Sequence, residues 1–387
     1  MNKEVKSSAI ANRWEMNKLA KIHQFHTSVL FGDALSNQMI DISETLRNVG
    51  YDSRIFCEVL PPNDFAQPTY LIEEYAKESS PDTILIVHFS LEYSNKVMTW
   101  LESLPDKIVL IYHNITPHHY FYGVNEYSYN AARRGRKQLR LLSTFIDFAV
   151  GDSLFNCSEL RKGDWRSIQR LPISFDIEKY SESPSPSVLE WGAEQINILF
   201  VGRLAPNKKF EDLLLTFYYL KHYVMPDARL VLVGASHGMQ PYVDYLHALV
   251  EKLALQDVYF VGHVSTAELV AYYQTASVYL SMSEHEGFGV PLLESAYFDV
   301  PVVAYKSTAV PETLDGRGVL FTKKRYDAVA ELIGTVINDQ ELHQRIVKNQ
   351  RLLLKNHSYK SFQKELLTIV DSVANGASTN VYSTTHE

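Results

Sequence analysis

The sequence predicts an α/β protein made of two consecutive doubly wound parallel sheets that face each other across a cleft. Three observations lead there. Short apolar, β-branched runs recur along the 387 residues, spaced roughly 15–30 residues apart, which leaves room for a strand, a turn and a crossover helix. Those of the second half are apolar throughout rather than alternating, as strands covered on both faces are. The array also comes twice, at 19–25, 55–59, 84–88, 108–112 and 146–150, and again at 196–201, 229–233, 258–261, 276–280, 300–304 and 318–321.

Length and charge agree with two domains, at a typical 100–200 or so residues each. The break falls near Leu171-Pro172-Ile173, and Ser183-Pro184-Ser185-Pro186 reads as linker. This sets a first domain over 1–175, a second over 176–355, and over 356–387 a helix, expected to pack back on the first domain, followed by a frayed tail. A net charge of −8 argues against nucleic acid as a partner. The two cysteines, Cys57 and Cys157, exclude a disulfide scaffold. No apolar run is long enough to span a bilayer, and the charged first residues are not a signal peptide, so a cytoplasmic location is expected.

In such sheets ligands sit beyond the carboxyl ends of the strands. After the run 276–280 comes Ser283-Glu284-His285-Glu286-Gly287-Phe288-Gly289-Val290-Pro291, then Leu292-Leu293-Glu294. Pro291 has the fixed φ favoured in a first helical turn, so the N–H groups around Gly289, Val290 and Leu292 stand free as an anion site. Glu294, one turn in, points back toward the ligand, and Glu286 approaches it from the loop. Two carboxylates beside a phosphate turn suit a nucleotide sugar. An ordinary helix start with acidic residues is the plainer alternative. After the run 196–201 comes Gly202-Arg203-Leu204-Ala205-Pro206-Asn207-Lys208-Lys209. Arg203 and Lys208 can converge on a diphosphate, or the loop is simply solvated.

These two segments, in this order and spacing, resemble the retaining glycosyltransferases of family four, which have two Rossmann-like domains in the GT-B arrangement. Glu286 and Glu294 match that family's E-x(7)-E pair. The resemblance implies a nucleotide-sugar donor held by the second domain and an acceptor held by the first. It implies that Arg203 and Lys208 neutralise the donor diphosphate with no metal or other cofactor. Glu294 would bind ribose hydroxyls, Glu286 the hydroxyls of the transferred sugar, and the Phe288, Gly289 and Val290 amides its phosphate or sugar oxygens. The sequence departs from the family at Lys209, where a glycine is usual; that cation either meets phosphate or faces solvent.

The first half offers shorter matches. Gly32 lies in the loop the family sets against donor phosphates, although a plain helix start fits equally well. His113, at the end of the run 108–112, matches a cleft histidine that touches the donor sugar, and a strand-capping histidine is its bland reading. Ser153 fits a helix N-cap. The basic stretch 133–140 (Arg133, Arg134, Arg136, Lys137, Arg140) is either a solvated helix face or a peripheral contact with the inner face of a membrane. The sequence has no G-x-G-x-x-G after a strand and no P-loop.

The expected function is hexose transfer with retention, UDP-glucose being the first donor to try, to a carbohydrate or lipid-linked acceptor hydroxyl in polysaccharide or glycoconjugate synthesis. A nucleotide-sugar epimerase of the same architecture, and a silent nucleotide-sugar-binding module, are the alternatives.

Overall fold

All six residues of Ile84–Phe89 are buried, which only a sheet covered on both faces permits. Successive side chains point to opposite faces. Leu85, Val87 and Phe89 enter one core with Tyr75, Val97 and Leu101, while Ile84 and Ile86 enter another with Ile42, Leu46, Leu366 and Ile369. That alternation explains the continuous apolar runs.

The computed structural model of the protein describes residues 20–30, 33–61 and 67–376. The first sheet contains β1 (Ile22–Ser28), β2 (Ile55–Val59), β3 (Thr69–Leu71), β4 (Ile84–Phe89), β5 (Lys107–Tyr112), β6 (Phe148–Gly151) and β7 (Ser167–Arg170), in the order β3-β2-β1-β4-β5-β6-β7. The second contains β8 (Ile196–Val201), β9 (Ala228–Val233), β10 (Val258–Gly262), β11 (Ala276–Ser281), β12 (Val302–Tyr305) and β13 (Val319–Phe321), in the order β10-β9-β8-β11-β12-β13. Every pairing is parallel. The strand order reverses between β1 and β4 and again between β8 and β11, and those switch points are where ligand crevices form.

The apolar runs do not include β3 or β7. Both are short edge strands, and Ser167-Ile168-Gln169-Arg170 is too polar to stand out. The helix Tyr359–Ala374 lies on the first sheet, where Phe362, Leu366 and Ile369 join Ile22, Val109 and Ile111. The chain crosses between the domains twice, side by side: the Phe175 N–H donates to the His357 carbonyl at 2.9 Å. Cys57 and Cys157 are buried and unbridged, and burial pushes the Cys57 thiol up to about 11.

Candidate active site

The loops after β8 and β11 flank the second switch point, so their residues meet. Residues Pro206–Lys208 form a single 3-10 turn, and the Asn207 amide holds the loop after β11 by donating to the His285 carbonyl at 3.0 Å. Lys208 Nζ reaches both carboxylate oxygens of Glu286, at 2.7 and 2.6 Å. Thr308 Oγ1 accepts from the Glu286 N–H at 2.8 Å and donates to its carbonyl at 2.9 Å, which fixes the backbone beneath that carboxylate. Arg203 donates to the His237 carbonyl at 3.1 Å and has no carboxylate partner among the described residues.

Gly289, with φ of +97°, caps the helix Val290–Tyr297 in a left-handed conformation that glycine adopts without strain. Among the described residues nothing accepts from the N–H groups of Phe288, Gly289 or Val290, so they stand open as helix N-terminal donors. The Phe288 ring turns the other way, into the second-domain core, 5.4 Å edge-on from His357. Glu294 is almost wholly buried, and burial raises its pKa. Its two oxygens accept from Tyr180 Oη and, at 2.6 Å, from Tyr273 Oη.

The first domain closes this crevice from the other side. His113, Asn114 and Thr116, just after β5, line a cavity of about 160 Å³ together with Arg203, Lys208, His285 and Glu286. His113 Nδ1 lies 2.9 Å from Asp152 Oδ2, and its Nε2 lies 2.8 Å from His88 Nδ1. The His88 and His113 rings are stacked at 5.1 Å. Both nitrogens of His113 are therefore engaged within the protein. Asn114, in the left-handed region at φ of +75°, has its amide oriented by Asn156 and Glu159 and accepts from His285 Nε2 at 2.6 Å. Gly287 lies close against the first domain: a Cβ there would come 2.9 Å from Asn114 Cβ, and Ser153 Oγ donates to its carbonyl at 2.7 Å. Ser153 also caps the helix Leu154–Leu160.

Residues 184–353 match the family model described as "Glycosyl transferases group 1". That match, to under half of the chain, lies within the second domain. A relative called an uncharacterized glycosyltransferase in Haemophilus influenzae is 24% identical over 307 residues, 78% of this chain and 80% of that protein. A GDP-mannose-dependent α-(1-6)-phosphatidylinositol monomannoside mannosyltransferase of Mycobacterium tuberculosis is 27% identical over 194 residues, 46% of this chain, which spans about half (49%) of it. The crystal structure of Anabaena HepE in complex with UDP and glucose superposes with a TM-score of 0.73 at 18% identity, covering 91% of this chain and all (100%) of that one. The paired sheets have the GT-B fold.

Within this glycosyltransferase frame Arg203, Lys208, Glu286 and His113 share one cavity wall. The Phe288, Gly289 and Val290 amides and Glu294 belong to the same β11-to-helix segment as Glu286. Gly32 lies outside the described residues. Lys209, where glycine is usual, sits at φ of +56°, so the backbone there is the one glycine favours. Its ammonium meets neither of the expected surroundings: it is three-quarters buried, 2.9 Å from Glu211 and 3.8 Å from Glu284. His88, Asp152 and His285 are absent from the sequence-derived set. A signal for the first two existed, because residues ending consecutive runs line up when those strands are neighbours, as β4, β5 and β6 are.

The basic stretch divides. Arg136 turns inward to Glu159 and the Ile115 carbonyl, and Arg134, itself exposed, pairs with Glu92. Arg133, Lys137 and Arg140 face solvent. No helix among the described residues is long and apolar enough to cross a membrane.

Proposed function

We propose that the chain is a retaining hexosyltransferase that uses a nucleoside-diphosphate sugar, with UDP-glucose the first donor to test and GDP-mannose the second. The observation that carries this is the Lys208–Glu286 clasp at the second switch point, beside Arg203 and the open amides of the following helix. Two cations and a helix N-terminus favour a diphosphate, and the carboxylate between them favours sugar hydroxyls. UDP in the HepE structure supports a uridine donor; the mannosyltransferase relative supports a guanosine one.

In the proposed reaction the anomeric C1–O(phosphate) bond breaks and a bond from C1 to the acceptor oxygen forms on the same face. The acceptor's proton passes to the departing phosphate oxygen. Lys208, Arg203 and the amides of 288–290 neutralise the charge that grows on the diphosphate, the work a divalent metal performs elsewhere. Glu286 orients the sugar; bound on both oxygens by Lys208, it is a poor covalent nucleophile. Ribose hydroxyls reach Glu294 by replacing the Tyr180 hydroxyl. Sugar contacts at the His113 position fall to its ring edge and to the neighbouring backbone, since its nitrogens are occupied. The acceptor enters from the first domain, and Arg133, Lys137 and Arg140 are the residues through which a peripheral membrane contact would be made.

A thermal-shift panel with UDP, GDP, ADP and their sugars tests the reading. A ligand at about 100 times its dissociation constant adds roughly 2.7 kcal/mol. Stabilisation by one nucleotide, lost in Lys208→Ala, is the expected result; no response to any of them sinks the proposal. Retention of anomeric configuration is then read from the NMR coupling of the product.

A further inference from the structure

The first sheet has its own switch point, between β1 and β4, and a cavity of about 650 Å³ opens there at the carboxyl ends of β1, β2 and β4. No donor-binding role uses it. Hydrogen bonds fix the protonation of the imidazoles behind it. Gln24 Nε2 donates to the Met39 carbonyl at 2.9 Å, which leaves Gln24 Oε1 to accept from His88 Nε2 at 2.9 Å. His88 is completely buried and kept neutral by desolvation, so its Nδ1 is a lone pair that accepts from His113 Nε2. No basic nitrogen is left on His88, and both nitrogens of His113 are committed.

His26 differs. Its Nδ1 faces the His88 carbonyl at 2.7 Å, and a carbonyl only accepts, so the proton sits on Nδ1. Burial lowers the pKa to about 4, so the ring is neutral. Nε2 therefore carries a lone pair, meets no partner among the described residues, and belongs to a ring that lines the cavity.

We propose that this cavity binds an uncharged polyhydroxylated acceptor, a sugar, and that His26 Nε2 accepts a hydrogen bond from one of its hydroxyl groups. This rests on the transferase reading and narrows its acceptor. The arginine of the wall, Arg134, is held by both oxygens of Glu92, whereas Glu58 has no cation beside it among the lining residues. An anionic head group would meet that carboxylate with no unpaired positive charge to offset it. Hydroxyl groups instead find acceptors in Glu58 and His26 and two-way partners in Ser28 and Ser90. Tyr127, 69% exposed, supplies a ring face for a pyranose.

The test uses the whole chain with ¹⁵N-labelled histidine. Maltose, lactose and mannobiose are the uncharged probes; glucose 6-phosphate and farnesyl diphosphate are the anionic ones, each added with and without UDP. An uncharged disaccharide should move the His26 Nε2 resonance at lower concentration than either phosphate. His26→Ala should weaken that binding by about tenfold, the upper worth of one neutral hydrogen bond. Glu58→Lys leaves His26 in place and should turn the preference toward glucose 6-phosphate. A His26 signal unmoved by every disaccharide, or moved first by a phosphate, overturns the proposal. Failure of all nucleotides to bind at Lys208 instead overturns the transferase reading, and the two results are recorded separately.

Discussion

Lys208 Nζ lies 2.7 and 2.6 Å from the two carboxylate oxygens of Glu286, so one ion pair ties together the loops that follow β8 and β11. Both side chains are mostly covered, with 20% and 13% exposure. The pair is therefore screened less than a surface salt bridge, and removing either member leaves the other's charge uncompensated.

Lys208→Ala is accordingly expected to lower kcat/KM by about 10²–10³, the loss seen when one preorganised charge contact is deleted from a developing anion. Glu286→Gln should keep donor affinity closer to wild type while lowering kcat, because the ammonium remains to meet the diphosphate. Steady-state kinetics on the two variants checks both. Near-normal turnover in Lys208→Ala would remove this lysine from the mechanism.

Gly287→Ala puts a methyl group 2.9 Å from Asn114 Cβ and 3.2 Å from the His113 carbonyl oxygen. Neither neighbour can retreat, since Asn114 is pinned by Asn156 and Glu159. The domains must part slightly, and misplacement on the ångström scale costs catalysis about 10²-fold. The expected variant has a melting temperature near that of wild type and greatly reduced kcat. Crystals of it should show a wider crevice between Asn114 and Gly287.

Lys209, at φ of +56° and ψ of +53°, bears a left-handed strain of about 1–2 kcal/mol, which β-branching would increase. Lys209→Gly relieves the strain but loses the Glu211 contact and restricts a more flexible unfolded chain, so its stability should stay within about 1 kcal/mol of wild type. Lys209→Val should be less stable than Lys209→Gly by about 2 kcal/mol. Urea midpoints at constant m-value decide between these outcomes.

Acid should destabilise the fold through its buried imidazoles. Burial lowers His23, His26, His285 and His357 from 6.5 to about 4. Below pH 6.5 the unfolded chain takes up protons at these positions and the folded chain does not, so unfolding free energy falls as pH drops from 6.5 toward 4 and is level above 7. Each histidine contributes at most about 1.4 kcal/mol per pH unit in that window. Denaturant titrations at pH 7, 6 and 5 measure the slope, and a flat profile would contradict the buried, neutral assignments.

What was legible in the sequence was local. Most strands of both arrays announced themselves because burial on two faces favours apolar side chains, although β1 carries His23, Gln24 and His26 and runs three residues beyond the expected 19–25. The turns at 202–208 and 283–294 did so because glycine, proline and charge follow a strand directly. Partnerships that bridge strands or domains left no trace in linear spacing. Asn114 and His285 meet at 2.6 Å from opposite domains, and only the assembled cleft pairs them. Met239, from the loop after β9, is wholly buried in the first domain's core, and nothing in its local pattern marks it. The short strands Thr69–Leu71 and Ser167–Arg170 carry too few apolar residues to separate from loop.

The helix Tyr359–Ala374 covers a sheet whose strands all precede residue 171. On the ribosome, that sheet emerges complete in its pairing partners while the whole second domain is still to be made. Until the helix follows, the face formed by Ile84, Ile86, Val109, Ile111 and Val150 has only part of its cover, from Ile42 and Leu46, and leaves a strip suited to a chaperone or to self-association. The domain begun first is therefore finished last, and a nascent chain stopped just before residue 359 carries a partly open sheet beside a second domain whose strands are all made.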